Sequence, residues 1–594
     1  MSKTNTNYPF KISVFEFLFL SWSGFVTLSI ITAILGFFYS WLSVIYWGLI
    51  LITLLKLRKN CSVKSVTRGE KIVLLILVTW SLLLSYFTNP TIFGGRDEGS
   101  LATLAVVINR EHKLTQQNKV INTFANIYGE GKALNFPGFL YQKTRDGYLL
   151  KSQFLPGYSA YLANFAQPNE INFLKLANLL PFLIFGLAFF SVLKTLTNSD
   201  KHSLGGLIFL ISVLPFTIFY KFTLSEFLFA SLIWSGLYFL IKYLQSTKTG
   251  RQEITRYWFI FIPFIPTFFI RIESFGIVFA LILILIFYRH KNFNFPKYQL
   301  PIFLVFLSGA ISLFLFSHFF LFLTKEFFDF LSSSPDLSNH QPRSFHFIPK
   351  MWRNGYILKV FYTYNLIPLF LFAFFGIIKI IKNKRQLKLI PLFLFGVTGI
   401  YLLDANISLD HPWMLRRFIF SIIPLAVFYF TIFWQQHPFK QKNISGLIWV
   451  VLLLSNTLLT IPFITLQQNT GLTKITPKLA EVFKADDLIL VSQKSSGSGW
   501  SLLSEPLRTI YQKQAVYFFN PKDYDKIDQD HYNHIYLLTS VSELPHYQEI
   551  ISSTIPTSQK EIFIENKILK PNHNPWQLPK NIKQETTSLL LQLK

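Results

Sequence analysis

Apolar runs long enough to cross about 30 Å of hydrocarbon recur along the first 463 residues, and nothing else in the chain limits its fold as strongly. They lie roughly at 14–36, 38–55, 71–89, 171–193, 204–220, 224–243, 257–270, 275–288, 301–324, 359–378, 389–404, 418–434 and 446–463, which predicts about thirteen membrane helices. The run at 257–270 is short and carries Pro263 and Pro266, so it predicts a broken or tilted helix. Sixty-six phenylalanines and a mean hydropathy of +0.38 exclude a water-soluble domain of this length. The first run, starting near Phe15, is too long for a cleaved signal peptide and lacks a small-residue cleavage pattern.

A formal charge of +26 would suggest nucleic acid in a soluble protein, but between membrane spans it sorts by side. The loops around 56–70, 194–203, 242–256, 289–300, 379–388 and 435–445 hold about twenty Lys and Arg against about three acids, which marks them as cytoplasmic. The amino terminus then lies in the cytoplasm, while the 90–170 loop, the 325–358 loop and everything after about 464 face outward. A single cysteine, Cys61, excludes intramolecular disulfides and cysteine-based metal clusters.

The last 130 or so residues change character. Short apolar runs at Leu488–Val491, Ala515–Phe519, His534–Leu538 and Glu561–Ile564 alternate with polar, helix-capable stretches, predicting a small α/β domain in an accessory role. Ser495-Ser496-Gly497-Ser498-Gly499 lacks the lysine and the context of a phosphate loop. The chain thus divides into a two-helix extension at 1–70, a membrane core at 71–463 that includes the 90–170 loop, and an outer domain at 464–594.

Charges are costly near a bilayer, so their placement carries information. Gly94-Gly95-Arg96-Asp97-Glu98 follows the third run, Lys151 and Gln153 precede the fourth, and Lys221 and Glu226 lie between the fifth and sixth. Arg271 and Glu273 lie between the seventh and eighth, and Asp404, Asp410, His411, Arg416 and Arg417 between the eleventh and twelfth. All fall at the outer face, as a site built over a helical bundle requires. Simpler roles exist for several: Asp97 as a helix cap, Glu226 as a dipole partner, Lys221 snorkelling, and Arg271 paired with Glu273. Arg416-Arg417 match an anionic group better than they match lipid tails. The aromatic, Pro/Gly-rich stretches Asn135–Phe139 and Tyr148–Tyr158 predict segments lying at headgroup depth.

An Asp-Glu pair opening a long first outer loop that closes on Lys151-x-x-x-x-Pro156-Gly157 resembles the GT-C superfamily of polyprenyl-phosphate-sugar-dependent glycosyltransferases, among the family 39-like protein O-mannosyltransferase and aminoarabinose transferase relatives. Ser225-Glu226, Arg271-Ile272-Glu273 and His411-Pro412-Trp413-Met414-Leu415-Arg416-Arg417-Phe418 before Pro424 are similar to outer-edge motifs of that family, although Leu-Arg-Arg-Phe stands where Arg-Tyr is more usual. The likeness spans about 70–435. It implies an α-helical polytopic fold and inverting transfer of a sugar from a polyprenyl-phosphate donor to a lipid, glycan or protein acceptor at the outer face of the cytoplasmic membrane. In that scheme Asp97 is the general base or the carboxylate that orients the acceptor, Glu98 its helper, and Lys151, Arg271 and either Arg416 or Arg417 meet the lipid phosphate. Arg96, Gln153, Glu226, Glu273 and His411 complete the candidate substrate site.

No local ligand spacing demands a metal, although Asp97, Glu98 and His411 leave room for a shared divalent ion, and the resemblance implies metal-independent turnover. Adjacent carboxylates at a helix start point apart, against a two-carboxylate hydrolase. Two other classes compete. A lipid-diphosphate-dependent glycan polymerase or ligase would also use outer arginines, and a lipid-glycan transporter or flippase would place its charges nearer the bilayer midplane.

Overall fold

The computed structural model describes residues 12–59, 63–64, 66–90, 92–93, 97–166, 172–248, 258–287, 299–321, 352, 355–403, 410–436, 442–497 and 502–594. Arg96, Asp404, Cys61 and most of the 325–358 loop lie outside these residues.

Each of the thirteen apolar runs folds as helix, but not each as a full span. Among the described residues seven helices are long and apolar enough to cross a membrane: Val14–Ile34, Ser40–Leu57, Arg68–Tyr86, Asn172–Thr197, Glu226–Gln245, Gln386–Leu403 and Ile444–Ile464. Two bent pairs raise the number to nine. Asp200–Ser212 and Leu214–Tyr220 meet at 62°, where Pro215 removes a backbone donor in the first turn of the second piece. Tyr356–Thr363 and Ile367–Lys382 meet at 102°, so the run expected at 359–378 is a lateral helix followed by a span. The remaining four runs form shorter apolar helices. The proline-bearing one is broken, as Trp258–Phe261 passes into three-ten turns at Ile262–Phe264 and Pro266–Phe269.

Two spans start where the sequence supplies reciprocal caps. Ser13 and Glu16, and likewise Thr67 and Glu70, exchange side-chain and backbone hydrogen bonds, satisfying amides that the first turn leaves open. The first span belongs to the core, since the Trp22 indole donates to Ser231 Oγ at 2.8 Å in the buried interior. The opposite end of the bundle from the charge cluster holds Lys194 between Glu70 and Asp200.

The 97–166 segment is a compact cap rather than an interfacial loop. The buried helix Glu98–Glu111 is followed by Lys119–Tyr128 and by a four-stranded sheet ordered 115–116, 147–152, 139–144, 131–132. The hairpin turns at Gly147, whose φ of +121° suits glycine. Phe136, Phe139, Tyr141 and Tyr158 are buried within the protein. Arg508 of the tail lies over Phe136 and Phe139, while Tyr158 packs against Tyr161 and bonds Asn178.

The tail is the α/β unit expected after about 464, with a five-stranded sheet ordered 558–570, 580–592, 535–540, 488–491, 514–517. Strands 535–540, 488–491 and 514–517 run parallel to one another, while 580–592 pairs antiparallel with both 558–570 and 535–540. The second strand of the ribbon, Lys580–Gln592, escapes a sequence reading because its first half is polar. Tail and cap are tied by hydrogen bonds to backbone carbonyls and by one between side-chain hydroxyls. Arg110 donates to the Thr509 and Ile510 carbonyls, Asn135 Nδ2 to the Tyr517 carbonyl at 2.8 Å, and Thr123 bonds Tyr532. Arg508 is buried with its guanidinium 4.9 Å from the Phe136 ring centroid.

Candidate active site

Four separate parts of the chain bring alternating charges together at the bundle end under the tail. Glu226 begins one span and Glu273 begins a shorter apolar helix, so both carboxylates sit at helix N-termini, where aligned amides favour negative charge. Arg271 lies between them, its Nη1 2.7 Å from Glu226 Oε1 and its Nη2 2.6 Å from Glu273 Oε1. The same guanidinium donates to Ser225 Oγ and stacks 4.7 Å from the Phe420 ring centroid. Its side chain is 3% exposed, and those of Glu226 and Glu273 are 1% and 6%.

Arg416 continues the chain toward solvent. It projects from the three-ten stretch Trp413–Phe418 and uses both ends of its fork, Nε to Glu226 Oε1 and Nη1 to Asp97 Oδ2, each at 2.5 Å. Arg417 reaches Glu273 Oε1 at 3.5 Å and lies over the Tyr401 ring, whose hydroxyl donates to the same oxygen at 2.6 Å. Exposure rises along the chain, from 11% for Arg416 and 25% for Arg417 to 45% for Asp97. A buried charge is tolerated only when paired, and removing one partner from such a network costs about 3–5 kcal/mol. Here three acids meet three arginines, and the outermost acid is the one open to solvent.

Asp97 makes no capping bond to the helix that follows it, so the simpler role of a cap does not describe it. Glu98 behaves differently from its neighbour. Its Oε2 is buried without a hydrogen-bond partner among the described residues, although the residue as a whole is part-exposed. Burial, together with the Asp97 charge and against the pull of Arg416, pushes its carboxyl from 4.5 up to about 8. The pair thus sets a solvent-open carboxyl group beside a buried one that holds its proton more tightly. Tyr158, whose role sequence reasoning did not single out, lies buried close to Glu98 and Glu226 and bonds Asn178.

Other candidates stand apart from this chain. Lys151 lies on the 147–152 strand beside His318, half-buried and with no carboxylate partner among the described residues, and burial lowers its ammonium. Gln153 follows it, its backbone bonded to the Gly138 carbonyl. Lys221 does not snorkel. Its ammonium donates to the carbonyls of Phe87, Ile464 and Leu466 at 2.8–3.0 Å, closing the ends of three chain segments. His411 is turned away from the acids: Nε2 meets the Asn574 carbonyl at 2.9 Å and Nδ1 the Tyr364 hydroxyl at 3.1 Å. With both nitrogens engaged, it does not join Asp97 and Glu98 in a shared ion site. Among the described residues no three His, Cys, Asp or Glu side chains gather as a metal-holding set.

No protein-family model matches the sequence, and a comparison with curated proteins returns no match. Among solved structures, the chain is similar to ArnT from Cupriavidus metallidurans in the apo state, at 9% identity and a TM-score of 0.48, over 87% of this chain and 97% of that one. It is also similar to the same protein bound to undecaprenyl phosphate, at 10% identity and a TM-score of 0.46, over 88% and 98% of the two chains.

Proposed function

We propose that the chain is a membrane glycosyltransferase that moves a sugar from a polyprenyl-phosphate donor to a lipid, glycan or protein acceptor at the outer face of the cytoplasmic membrane. The observation that carries this reading is the open carboxylate of Asp97 held by Arg416 at the end of a balanced chain of buried charges. Such a group, fixed in place and reachable from outside, suits a base that accepts the proton of an acceptor hydroxyl. As that oxygen attacks the anomeric carbon, the bond from this carbon to the phosphate oxygen breaks, and direct displacement inverts the centre. The lipid phosphate leaves with the bonding pair, and cations must meet its growing charge.

The geometry separates the candidate cations. Arg271 is enclosed by Glu226 and Glu273, which suits a role in ordering the site rather than in touching phosphate. Arg416 is held by two carboxylates, Glu226 and Asp97. Arg417 is more exposed, holds Glu273 only at 3.5 Å, and keeps a buried Nε without a partner among the described residues. Arg417 is therefore the working arginine of the pair, with Lys151 as a second, uncompensated cation on the cap. Loop charges support placing this face outward, since the opposite bundle end adjoins the basic loops.

The test is sugar transfer by purified, detergent-solubilised protein supplied with a panel of polyprenyl-phosphate sugars and acceptors. It is run beside Asp97→Asn and with a chelator. Consumption of one donor that Asp97→Asn abolishes, with the variant still folded, supports the reading. Undiminished transfer by Asp97→Asn would remove Asp97 as base, and no consumption across the panel would move the weight to diphosphate donors or transport.

A further inference from the structure

The arginines owe their position to the tail. The two strands of its long ribbon are joined by residues 571–579, and this tip lies directly on the segment that carries Arg416 and Arg417. Asn572 and His411 exchange both backbone hydrogen bonds, each at 3.0 Å. The Asn574 carbonyl accepts from the His411 ring, and the Pro575 carbonyl accepts from Thr363 Oγ1 at 2.6 Å. Trp576 stands edge-on to Tyr362 with ring centroids 5.9 Å apart. Two side-chain-to-backbone bonds, Asn572 Oδ1 from Asn574 N–H and Asn574 Oδ1 from Trp576 N–H, stiffen the tip itself.

His411 stands five residues before Arg416, and the stretch between them is a run of short turns rather than a regular helix. Three-ten turns alone hold a fork poorly, because their hydrogen bonds are weaker and few. Besides the arginine ion pairs, the later turns are held by Trp413 against Phe219 and Phe222, by Phe418 against Phe361 and by the buried Met414 and Leu415, while the start of the segment at His411 is held by the hairpin tip. We infer that the 571–579 tip of the tail is a positioning element of the charged site, latching His411 so that the following turns present Arg416 to Asp97 and Arg417 to Glu273. The tail is then part of the working site. The structural half of this inference stands by itself, and its kinetic half rests on the transferase reading.

The experiment uses the full chain with residues 571–579 replaced by a two-residue Asn-Gly turn between Lys570 and Lys580, which face each other across the ribbon and can be joined by a tight hairpin. Hydrogen exchange is read first, because it needs no donor. Amides of 411–418 are expected to exchange at least about tenfold faster than in the wild type, while those of Leu488–Val491 and Ile535–Ser540 keep their protection. Turnover is expected to fall about 100-fold, the scale of a misplacement near 1 Å in a catalytic constellation.

A second pair guards against misfolding of the shortened ribbon. His411→Gln can still donate an N–H toward the Asn574 carbonyl and is expected to keep more turnover than His411→Phe, which cannot. Unchanged exchange at 411–418, or equal activity of His411→Gln and His411→Phe alongside full activity of the shortened chain, would overturn the latch. A wild type inactive on every donor would instead count against the transferase reading, and the exchange result would still decide the latch.

Discussion

Replacing Glu98 by Gln separates the two members of the acidic pair. In the folded protein its carboxyl is raised from 4.5 to about 8, so below that pH the native state holds a proton. An unfolded chain loses the same proton above the ordinary glutamate value. Between the two values the folded state binds more protons, and stability conferred by the neutral form falls as pH rises toward 8. A full proton is worth 1.36 kcal/mol per pH unit, so from about pH 5.5 to about pH 7.5 the wild type loses about 2.7 kcal/mol relative to Glu98→Gln, or about half that if solvent reaches the part-exposed side chain. The assay is hydrogen exchange of the Leu101–Ile108 amides in both proteins at each pH, taken as a ratio so that the intrinsic pH dependence cancels. The wild-type to variant ratio should rise about 10- to 100-fold across that window if opening of this helix exposes residue 98. Infrared spectra should show a protonated carboxyl stretch near neutral pH that Glu98→Gln removes. A ratio flat across the window, with no such band, would refute the argument that Glu98 is a buried neutral acid.

Arg416→Lys should lower transfer about 100-fold with the protein still folded, because an ammonium is a point charge and cannot span Asp97 and Glu226 as the guanidinium fork does; parallel kinetics and thermal melts distinguish this from unfolding. Lys221→Met should destabilise the protein by about 3 kcal/mol, since three carbonyls lose their donor in a buried setting, and limited proteolysis of the 464–469 junction should report it.

The site was legible where the chain breaks its own rules. Charges are rare at the outer edges of the apolar runs, so Asp97, Glu226, Arg271, Glu273 and Arg416 stand out, and a shared bundle end is enough to predict that they meet. Their connectivity was not legible, because it depends on which guanidinium atom faces which carboxylate. Tyr401 and Tyr158 were invisible among twenty-six tyrosines, where a ring near a membrane suggests nothing specific. The partners of His411 were hidden for another reason: Asn572 and Asn574 lie more than 160 positions away. The cap sheet escaped because its strands of two to six residues alternate weakly, and their burial is supplied by the tail. Span length was overread where Pro215 and the Tyr364–Leu366 corner turn the chain.

The cap and tail bonds also set an order of events during synthesis. Arg110 finds its acceptors 399 and 400 positions later, and Arg508 bonds Gln116 across 392. At about 5–20 residues per second the ribosome needs roughly 20–80 s to supply those partners. For that interval Phe136 and Phe139 wait without Arg508, so the cap that follows Asp97 matures only after the stretch around 508–517 has been made. A chain stopped before that stretch would insert its helices and yet leave the cap over Asp97 without Arg508 and its neighbours, which makes the tail a control on assembly as well as a wall of the fold.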